Sequence, residues 1–382
     1  MRMETVIGAL SAIAPPGLAG SWDNVGLIAG EGEGELRGPV LLTIDLTEAV
    51  AEEAASAGAG LVVAYHPPIF RETRRLTDGT REGRAVLRVL RSGGSVYSPH
   101  TALDAAAGGV ADWLLDRAAG DLERLGTRRA IAAHRGVDAA QTHKVVVFVP
   151  VADADRVAAA MSEAGAGRIG DYSRCSYRLA GEGTFLGGDS TNPAVGERGV
   201  LERVEEVRLE MVCGTGCLGE AIAALSSAHP YEEPAFDVYA LAERPEPGLG
   251  AGRVCDLKAP TPAADLAAYL AAELGVERVR LGAEDGAMID RIAVCPGAGA
   301  GLLRESGLLS RGEGLLFVTG EMSHHEVLAA RSAGCGVALA GHTRTERGYL
   351  PVLRDRLADA VGGFDVRVSG VDGWPLREIG AG

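Results

Sequence analysis

The chain has 382 residues, more than one typical domain holds, so we expect two or three domains, each with its own hydrophobic core. Hydrophobic residues make up 47% of it and charged residues 23%, which excludes a peptide-like scaffold or a mainly disordered protein. The formal net charge of -15 argues against a broad surface for nucleic acid or anionic membrane, because both partners need clustered lysine and arginine.

The N-terminal stretch predicts an amphipathic helix and not a signal peptide, because Glu4 and the Pro15-Pro16 pair interrupt its apolar residues. No apolar run approaches the roughly 20 residues that span a bilayer. The cysteines form no disulfide framework and no CxxC pair, which favours a reducing compartment. Cys213 and Cys217 could share a metal, but small buried cysteines are the simpler interpretation. We expect a cytoplasmic protein.

Strand and helix patterns alternate along the first third of the chain. The apolar run VLLTID ends at Asp45, a helical stretch continues to about Ala57, and LVVAYH ends at His66. A second helical stretch near residues 82–91 precedes SVYSPH, which ends at His100. Such alternation predicts consecutive βαβ units.

The same alternation returns near the C-terminus. RIAVC ends at Cys295, LLFVTG ends at Gly320, and GVALAGH ends at His342, each before a helical pattern. Crossover helices cover a parallel sheet on both faces. We therefore expect an α/β fold with a mostly parallel sheet flanked by helices.

Between these two parts the pattern changes to that of a β-α-β-β-α-β insertion. The turn-rich stretches TRRAIAAHRGVD and ERPEPGLGAG on either side of it are predicted to be linkers. We expect the first half of the core domain over residues 1–130, the inserted α+β domain over residues 140–245, and the second half of the core over residues 250–382.

Six potential metal ligands stand at or just beyond the carboxyl ends of predicted strands. They are His66, His100, Asp104, His325, His342 and Glu346. Ligands bind at this edge in open α/β sheets. Imidazole and carboxylate together suit zinc, iron, manganese or nickel, and a bridging carboxylate can hold two such ions. The absence of a thiolate disfavours a closed structural zinc site, so we expect an open metal site.

Structural interpretations of the same residues stay open. A histidine after a strand is more often a hydrogen-bonded core group, and the two prolines after His66 could simply stiffen a turn. Asp104 could cap a helix, and Glu346 could stabilise a helix dipole in its first turn. Asp45 either lines the cleft or caps the end of its strand. The joint position of the ligands at one edge favours the metal site.

Two further features lie near the same edge. His324 and His325 open a predicted helix, and of the two we expect His325 to face the cleft and take part in proton transfer. The glycines of CPGAGAGLL could bring backbone N–H groups to an anion. They lack the lysine and Ser/Thr of a P-loop, so a plain turn is the simpler interpretation.

The motifs WDNVGLIAG, AYHPPIF, HTALD, VTGEMSHHEVLAA and AGHTRTERG, in this order, resemble those of the Nif-three-like dinuclear-metal proteins, called GTP cyclohydrolase I type 2 homologues in bacteria. The resemblance spans nearly the whole chain. GTFLGGDSTNPAVGERG and AHPYEEPAFDVY resemble the PII-like or CutA-like insertion of longer bacterial members. The resemblance implies a Nif-three-like core, a ferredoxin-like insertion and a homohexameric assembly.

The same resemblance implies a ligand set for two divalent metal ions. The ligands carry over onto His66, Asp104, His342 and Glu346, with the glutamate bridging. The bacterial pattern usually has two adjacent histidines before the proline, whereas Tyr65 takes the first position here. Tyr65 is therefore a further candidate ligand. It would coordinate as a phenolate, which its ordinary pKa of about 10 disfavours unless a metal lowers it.

The function implied by the resemblance is metal-dependent hydrolysis of GTP or another nucleotide. A metal-activated water would attack an electrophilic carbon, and formate would be released. His325 and His100 are the candidate catalytic residues for proton transfer. A metal-binding regulatory or assembly protein without turnover is one alternative, and a two-metal phosphoesterase is another.

Overall fold

The computed structural model describes residues 1–136, residue 138 and residues 140–376. Contacts divide the chain into two compact units. The first unit combines Met1–His134 with Glu246–Gly382, and the second unit is Arg135–Pro245. The second unit therefore interrupts the first in sequence, and each has a hydrophobic core of its own.

The strands differ in length from three to thirteen residues. They are Gly26–Ala29 (β1), Val40–Thr43 (β2), Leu61–Ala64 (β3), Ser95–Ser98 (β4), Leu125–Arg129 (β5), Ala132–Gly136 (β6), His143–Pro150 (β7), Tyr177–Leu186 (β8), Leu201–Cys213 (β9), Phe236–Ala240 (β10), Arg244–Ala251 (β11), Arg253–Pro262 (β12), Arg280–Gly282 (β13), Met288–Cys295 (β14), Leu315–Thr319 (β15), Gly336–Leu339 (β16) and Val366–Val368 (β17).

The helices are short, and several lie between consecutive parallel strands. They are Met3–Ile13 (α1), Glu48–Ser56 (α2), Arg81–Arg91 (α3), His100–Ala105 (α4), Val110–Ala119 (α5), Ala154–Glu163 (α6), Leu218–Ala228 (α7), Ala263–Glu273 (α8), Ala300–Glu305 (α9), His324–Ser332 (α10), Arg344–Arg347 (α11) and Leu350–Ala360 (α12). In the part of the chain that the structure describes, none of them has the length and apolar character to cross a bilayer.

The first unit contains two large sheets where the sequence pattern predicts one. The first sheet has the order β1-β4-β3-β2-β17, and its strands are parallel except for β1. The second has the order β13-β16-β15-β14-β12-β5, with β14, β15 and β16 parallel. Antiparallel strands flank both parallel cores, since β1 pairs with β4 and β12 pairs with β14.

The apolar strand sequences explain why these cores form. All four residues of β2 and all four of β3 are buried, as are all residues of β15 and β16. Burial on both faces is typical of parallel strands covered by helices. A side-chain cap starts the helix between the first pair, since Thr47 accepts a hydrogen bond from the Val50 amide.

Both predicted linkers are strands, which corrects the interpretation of those stretches as turns. TRRAIAAHRGVD contains most of β5 and all of β6, and ERPEPGLGAG contains all of β11. β6 and β11 pair as a two-stranded sheet. β11 contains Pro245 and Pro247, which have no amide hydrogen to donate to the strand ladder. Val137 and Ala139, between β6 and the inserted domain, lie outside the described residues.

The second unit has the element order β7-α6-β8-β9-α7-β10 and the antiparallel strand order β10-β7-β9-β8. Alternate residues of the central strands, such as Val147 and Leu209, pack with Met161 of α6 and Leu225 of α7. The element order is that of the β-α-β-β-α-β motif. A helix-covered antiparallel sheet therefore makes up this unit.

Candidate metal centre

Hydrogen bonds between parallel neighbours continue past the strand ends and fix the first candidate ligand. The amides of Tyr65 and His66 donate to the carbonyls of Thr43 and Ile44 over 2.9 and 3.0 Å. His66 therefore stands at the carboxyl end of β3, beside the end of β2. Its position follows from the backbone ladder and not from a free loop.

The second sheet fixes His342 in the same way. The Ala340 amide donates to Thr319 over 3.1 Å, and the Gly341 amide donates to Gly320 over 2.9 Å. His342 follows directly, at the carboxyl end of β16. Glu346 lies four residues later in the short helix α11.

His66, His342 and Glu346 form one cluster whose ligand atoms all lie within 4.8 Å of one another. The Nε2 atom of His66 is 3.5 Å from Oε2 of Glu346, and Nε2 of His342 is 3.5 Å from Oε1 of the same carboxylate. Each oxygen of Glu346 therefore faces a different imidazole. This cluster could hold a metal ion, and Cys213 with Cys217 belongs to no such group of three among the described residues.

The chemistry around Glu346 fits a cation. Its side chain is 3% exposed, and its buried Oε2 atom has no hydrogen-bond partner among the described residues. A buried carboxylate oxygen without a donor is costly, and a cation removes that cost. The backbone leaves room beside it, since a Cβ on Gly297 would lie 2.6 Å from Oε1 of Glu346 and 3.0 Å from Nε2 of His342.

Both cluster histidines turn Nε2 to Glu346 because a carboxylate binds the other ring nitrogen. Nδ1 of His66 is 2.9 Å from Oδ1 of Asp45, and Nδ1 of His342 is 3.0 Å from Oε1 of Glu321. A carboxylate on the far nitrogen fixes the tautomer and the ring orientation of a metal-binding histidine. The arrangement leaves both Nε2 atoms available as ligands.

The pKa of His66 reflects these acidic neighbours. Burial lowers this pKa, but the interactions with Asp45 and Glu346 outweigh burial and raise it to about 10. Burial also acts on Asp45, where it raises the pKa, while the hydrogen bond and charge of His66 lower the pKa overall. The pair is therefore a strong charge-assisted contact.

A third histidine, His100, stands beside the cluster with its ring centre 5.4 Å from that of His66. Its Nδ1 atom is 2.7 Å from Oδ1 of Asp23, and the other oxygen of Asp23 accepts hydrogen bonds from the amide and hydroxyl of Thr101. The backbone of His100 has φ +28°, which is unfavourable for a side chain with a Cβ. Surrounding contacts hold it there, as is common at functional sites.

Asp104 and the buried Tyr65 form a hydrogen-bonded pair next to the cluster. The Tyr65 hydroxyl donates to Oδ1 of Asp104 over 2.6 Å. Burial raises the pKa of Tyr65 well above its ordinary value, and the charges of Asp104 and Glu346 add to this. Burial also raises the pKa of Asp104 to about 6, against the opposing effect of the Tyr65 hydrogen bond. Tyr65 is thus a neutral donor here.

The end of α4 that carries Asp104 is anchored by a buried arginine. Arg253 is 1% exposed, and its guanidinium donates to the carbonyls of Ala105 and Ala106 over 3.1 and 2.9 Å. It also donates to Asp112 over 3.0 Å. Asp104 lies inside this helix and not at its N-cap.

His325 is exposed at the start of α10, and the structure does not bring it to the His66–His342–Glu346 cluster. Its ring packs against His324, with the ring centres 5.6 Å apart.

The backbone amides of the glycine-rich turn form hydrogen bonds within the protein. The amide of Gly297 donates to Thr345 and that of Gly299 donates to Thr319, over 2.9 Å each. Those amides are not directed at an anion.

Sequence reasoning missed two acids that orient histidines, Asp23 and Glu321. Glu321 could have been found, because it follows the carboxyl end of β15 as Asp45 follows that of β2. The sequence signal is an acidic residue at the end of one strand when the neighbouring strand ends in a histidine. Asp23 has no such signal, since it lies in a turn before β1.

Relatives with curated names match over most of the chain. The protein called GTP cyclohydrolase 1 type 2 homolog in Mycobacterium tuberculosis is 38% identical over 327 residues, covering 85% of this chain and 83% of the relative. NIF3-like protein 1 of Bos taurus is 32% identical over 389 residues, covering 99% of this chain and 93% of the relative.

Solved structures agree with these relatives. A Bacillus cereus protein related to NIF3 superposes with a TM-score of 0.70 at 30% identity, covering 99% of both chains. A Staphylococcus aureus protein superposes with a TM-score of 0.77 at 24% identity, again over 99% of both chains, and shows the fold alone. The family described as Duf34/NIF3 (NGG1p interacting factor 3) matches residues 1–373. These matches confirm the resemblance drawn from the motifs: the chain belongs to the Duf34/NIF3 family.

Proposed function

We propose that the chain is a metal-dependent hydrolase whose centre holds two divalent ions bridged by Glu346. The observation that carries the proposal is the position of the Glu346 carboxylate, with one oxygen 3.5 Å from Nε2 of His66 and the other 3.5 Å from Nε2 of His342. A carboxylate between two imidazoles can bind one ion through each oxygen. Two divalent ions would supply Lewis acidity for hydrolysis.

Four side chains would hold these ions. His66 and His342 would bind through Nε2, Glu346 through both oxygens, and Asp104 through the oxygen that Tyr65 does not occupy. Tyr65 positions Asp104 by its 2.6 Å hydrogen bond and is not itself a ligand in this proposal. Zinc, iron, manganese and nickel all suit such ligands.

His100 is the residue that we assign to proton transfer, in preference to His325. Its Nδ1 atom is held by Asp23, so Nε2 is the nitrogen left to hold or move a proton. Its ring lies 5.4 Å from that of His66, whereas His325 is exposed beside His324. A general acid or base must be within reach of the reacting atoms.

The substrate in this proposal is GTP or another nucleotide, and the expected reaction is ring opening with release of formate. The name GTP cyclohydrolase 1 type 2 homolog, carried by several relatives, supports this choice. The β-α-β-β-α-β order of the second unit supports a PII-like or CutA-like insertion. A homohexamer in the cytoplasm follows from the same resemblance, and the mass of the assembly in solution tests it.

Elemental analysis and a formate assay test the proposal together. Protein purified without an affinity tag should contain two ions per chain, and metal-loaded protein should release formate from GTP. Fewer than one ion per chain would contradict the dinuclear centre. Two ions per chain without release of formate would support the dinuclear centre but exclude this reaction. Release of phosphate from phosphate esters would then favour the phosphoesterase.

A cavity in the second unit favours a regulatory protein as the second candidate. It has a volume of about 580 Å³ and is lined by residues that include Phe148, Phe185, Glu206, Arg208 and Tyr231. Such a cavity is large enough for a small effector. If His342→Ala removed the metal and left a partner or effector bound to this unit, the regulatory role would gain support.

A further inference from the structure

Two aromatic side chains stand exposed beside the metal centre. Trp22 is 65% exposed and Phe70 is 46% exposed, although both are large and apolar. Their ring centres lie 6.0 Å apart, and each lies 6.2 Å from the ring of His100. Since the ring of His100 is 5.4 Å from that of His66, the pair borders the cluster through a single intervening histidine.

A hydrogen bond joins the two segments that carry this aromatic pair. The Asn24 side chain donates to the Ile69 carbonyl over 2.5 Å and so joins the turn that carries Trp22 to the segment that carries Phe70. Asp23, between Trp22 and Asn24, binds His100. The segment that orients His100 is therefore joined to the segment that carries Phe70. A fixed aromatic surface costs little entropy when a ligand stacks on it.

Three arginines share a cavity with the aromatic pair. Arg71, Arg74 and Arg75 line a space of about 460 Å³ together with Trp22 and Phe70. All three are exposed, and none forms an ion pair with any described residue. Glu72 and Asp23 also line the cavity and supply two opposing charges, of which that of Asp23 is bound to His100 and Thr101. A local positive surplus stands out on a chain with a net charge of -15.

This combination of groups suits one class of ligand. Planar heteroaromatic rings stack on tryptophan and phenylalanine, and guanidinium groups bind phosphate oxygens in pairs. A cavity of about 460 Å³ also has the size of a small-molecule site. An anion without a ring would leave the aromatic pair unused, and an uncharged ring would leave the arginines unused.

We propose that Trp22 and Phe70 bind the base of a nucleoside phosphate while Arg71, Arg74 and Arg75 bind its phosphates, which places the base next to His100. The inference rests on the proposed function, because it supplies the substrate specificity of the same metal centre. It goes further by assigning separate residues to the base and to the phosphate chain.

Calorimetric titration of the metal-loaded protein tests this division with three probes: GTP, guanosine and inorganic tripolyphosphate. Trp22→Leu and Phe70→Leu should each weaken GTP and guanosine by roughly 10-fold, the scale of one lost stacking contact, and leave tripolyphosphate unchanged. Replacing Arg71, Arg74 and Arg75 together by glutamine should weaken GTP and tripolyphosphate and leave guanosine unchanged.

Matched variants serve as controls. Tyr172→Leu removes an aromatic ring that is 77% exposed in the second unit, and it should change no titration. Glutamine at Arg278, Arg304 and Arg354 removes the same charge elsewhere in the first unit and should leave tripolyphosphate binding unchanged. Trp22→Phe keeps a ring and should retain most of the GTP affinity. Metal content and circular dichroism establish that each variant is folded and loaded.

The outcomes separate this inference from the proposed hydrolase. If GTP fails to bind the metal-loaded wild type, or binds the leucine and glutamine variants as tightly as it binds the wild type, the inference is overturned. Metal content and turnover of other substrates still decide whether the protein is a hydrolase. If the two sets of variants weaken ligand binding selectively but no substrate is turned over, the nucleotide site is supported and the hydrolase is excluded. Selective weakening together with turnover supports both.

Discussion

In both sheets of the first unit, a histidine stands just beyond a parallel strand and pairs with an acid from the end of the neighbouring strand. In the first sheet, His66 follows β3 and pairs with Asp45, which follows β2. In the second, His342 follows β16 and pairs with Glu321, which follows β15. Parallel pairing places the two strand ends side by side, so each acid reaches Nδ1 of the adjacent histidine.

The two pairs differ in their exposure to water. The side chains of His66 and Asp45 are 23% and 38% exposed, whereas those of His342 and Glu321 are 33% and 57% exposed. A hydrogen bond in a less hydrated environment is stronger and orients its partners more firmly. The same topology therefore yields two unequal halves of one centre, and we expect the ion bound through His66 to be held more tightly.

The largest expected effect comes from removing what the two halves share. Glu346→Gln keeps the shape of the side chain but removes its charge, so affinity at both sites should fall by more than the roughly 10–100-fold typical of losing a supporting group. Competition with a chelating dye measures the affinities.

Glu305→Gln is the matched control, since its side chain is 77% exposed and far less constrained than that of Glu346. It should change neither metal affinity nor stability. If Glu346→Gln weakened one ion and left the other unchanged, the carboxylate would not bridge them.

The next effect should separate the two halves. Asp45→Asn and Glu321→Gln each remove the charge that orients one histidine, at a cost of roughly 10–100-fold in metal affinity. We expect Asp45→Asn at the upper end and Glu321→Gln at the lower end, because Asp45 is the less exposed acid. The same dye competition applies. Equal losses, or a larger loss for Glu321→Gln, would refute the ranking.

Gly297→Ala should act more strongly on the second half than on the first. The new Cβ would lie 2.6 Å from Oε1 of Glu346 and 3.0 Å from Nε2 of His342, at a φ of +63°. We expect weaker binding of the ion held by His342 and a free energy of unfolding lower by about 1–3 kcal/mol. Urea denaturation and dye competition measure the two effects.

Gly363→Ala isolates the backbone contribution to that result. Gly363 also has a positive φ, +80°, but a Cβ there meets nothing within 4 Å. It should lose stability without losing metal. A similar loss of metal in both variants would mean that contact with the cluster is not the cause.

The smallest expected effect concerns His229 in the second unit, whose environment contrasts with that of His66. Nε2 donates to the Phe148 carbonyl over 3.0 Å, and Nδ1 accepts from the Tyr231 amide over 3.1 Å. Burial lowers the pKa of His229, while the Phe148 carbonyl and the charges of Glu206 and Asp153 oppose this, and Arg156 adds to it. A histidine bonded to backbone groups is thus kept neutral, unlike His66.

The sign of the pH dependence follows from this lowered pKa. Below the ordinary value of 6.5 the unfolded chain binds more protons at His229 than the folded one, so stability is full above that pH and falls below it. One proton limits the slope to about 1.4 kcal/mol per pH unit. Hydrogen exchange of the β7 amides at about pH 7.5 and about pH 5.5 should show the loss. An equal loss in His229→Gln would exclude this histidine as its source.

Sequence pattern predicts the parallel strands and the residues at their ends, because buried strands read as continuous apolar runs. It does not predict β5, β6 and β11, because their prolines, glycines and arginines are typical of a linker. His325 shows a different limit. It follows a strand end as His342 does, but Ser323 and Glu326 form a capping box that starts α10 there, and His325 lies on its exposed side. The orientation of α10 therefore decides that His325 faces solvent, and the sequence pattern does not show that orientation.

The two sheets also exchange edge strands, and this sets an order of events during synthesis. β5 is made before the inserted unit but belongs to the second sheet, and β17 is made after that unit but belongs to the first. Between the two halves the ribosome must translate Arg135–Pro245, a delay on the order of ten seconds. Neither sheet is complete, and Glu346 cannot lie between His66 and His342, until the residues after the inserted unit have been translated.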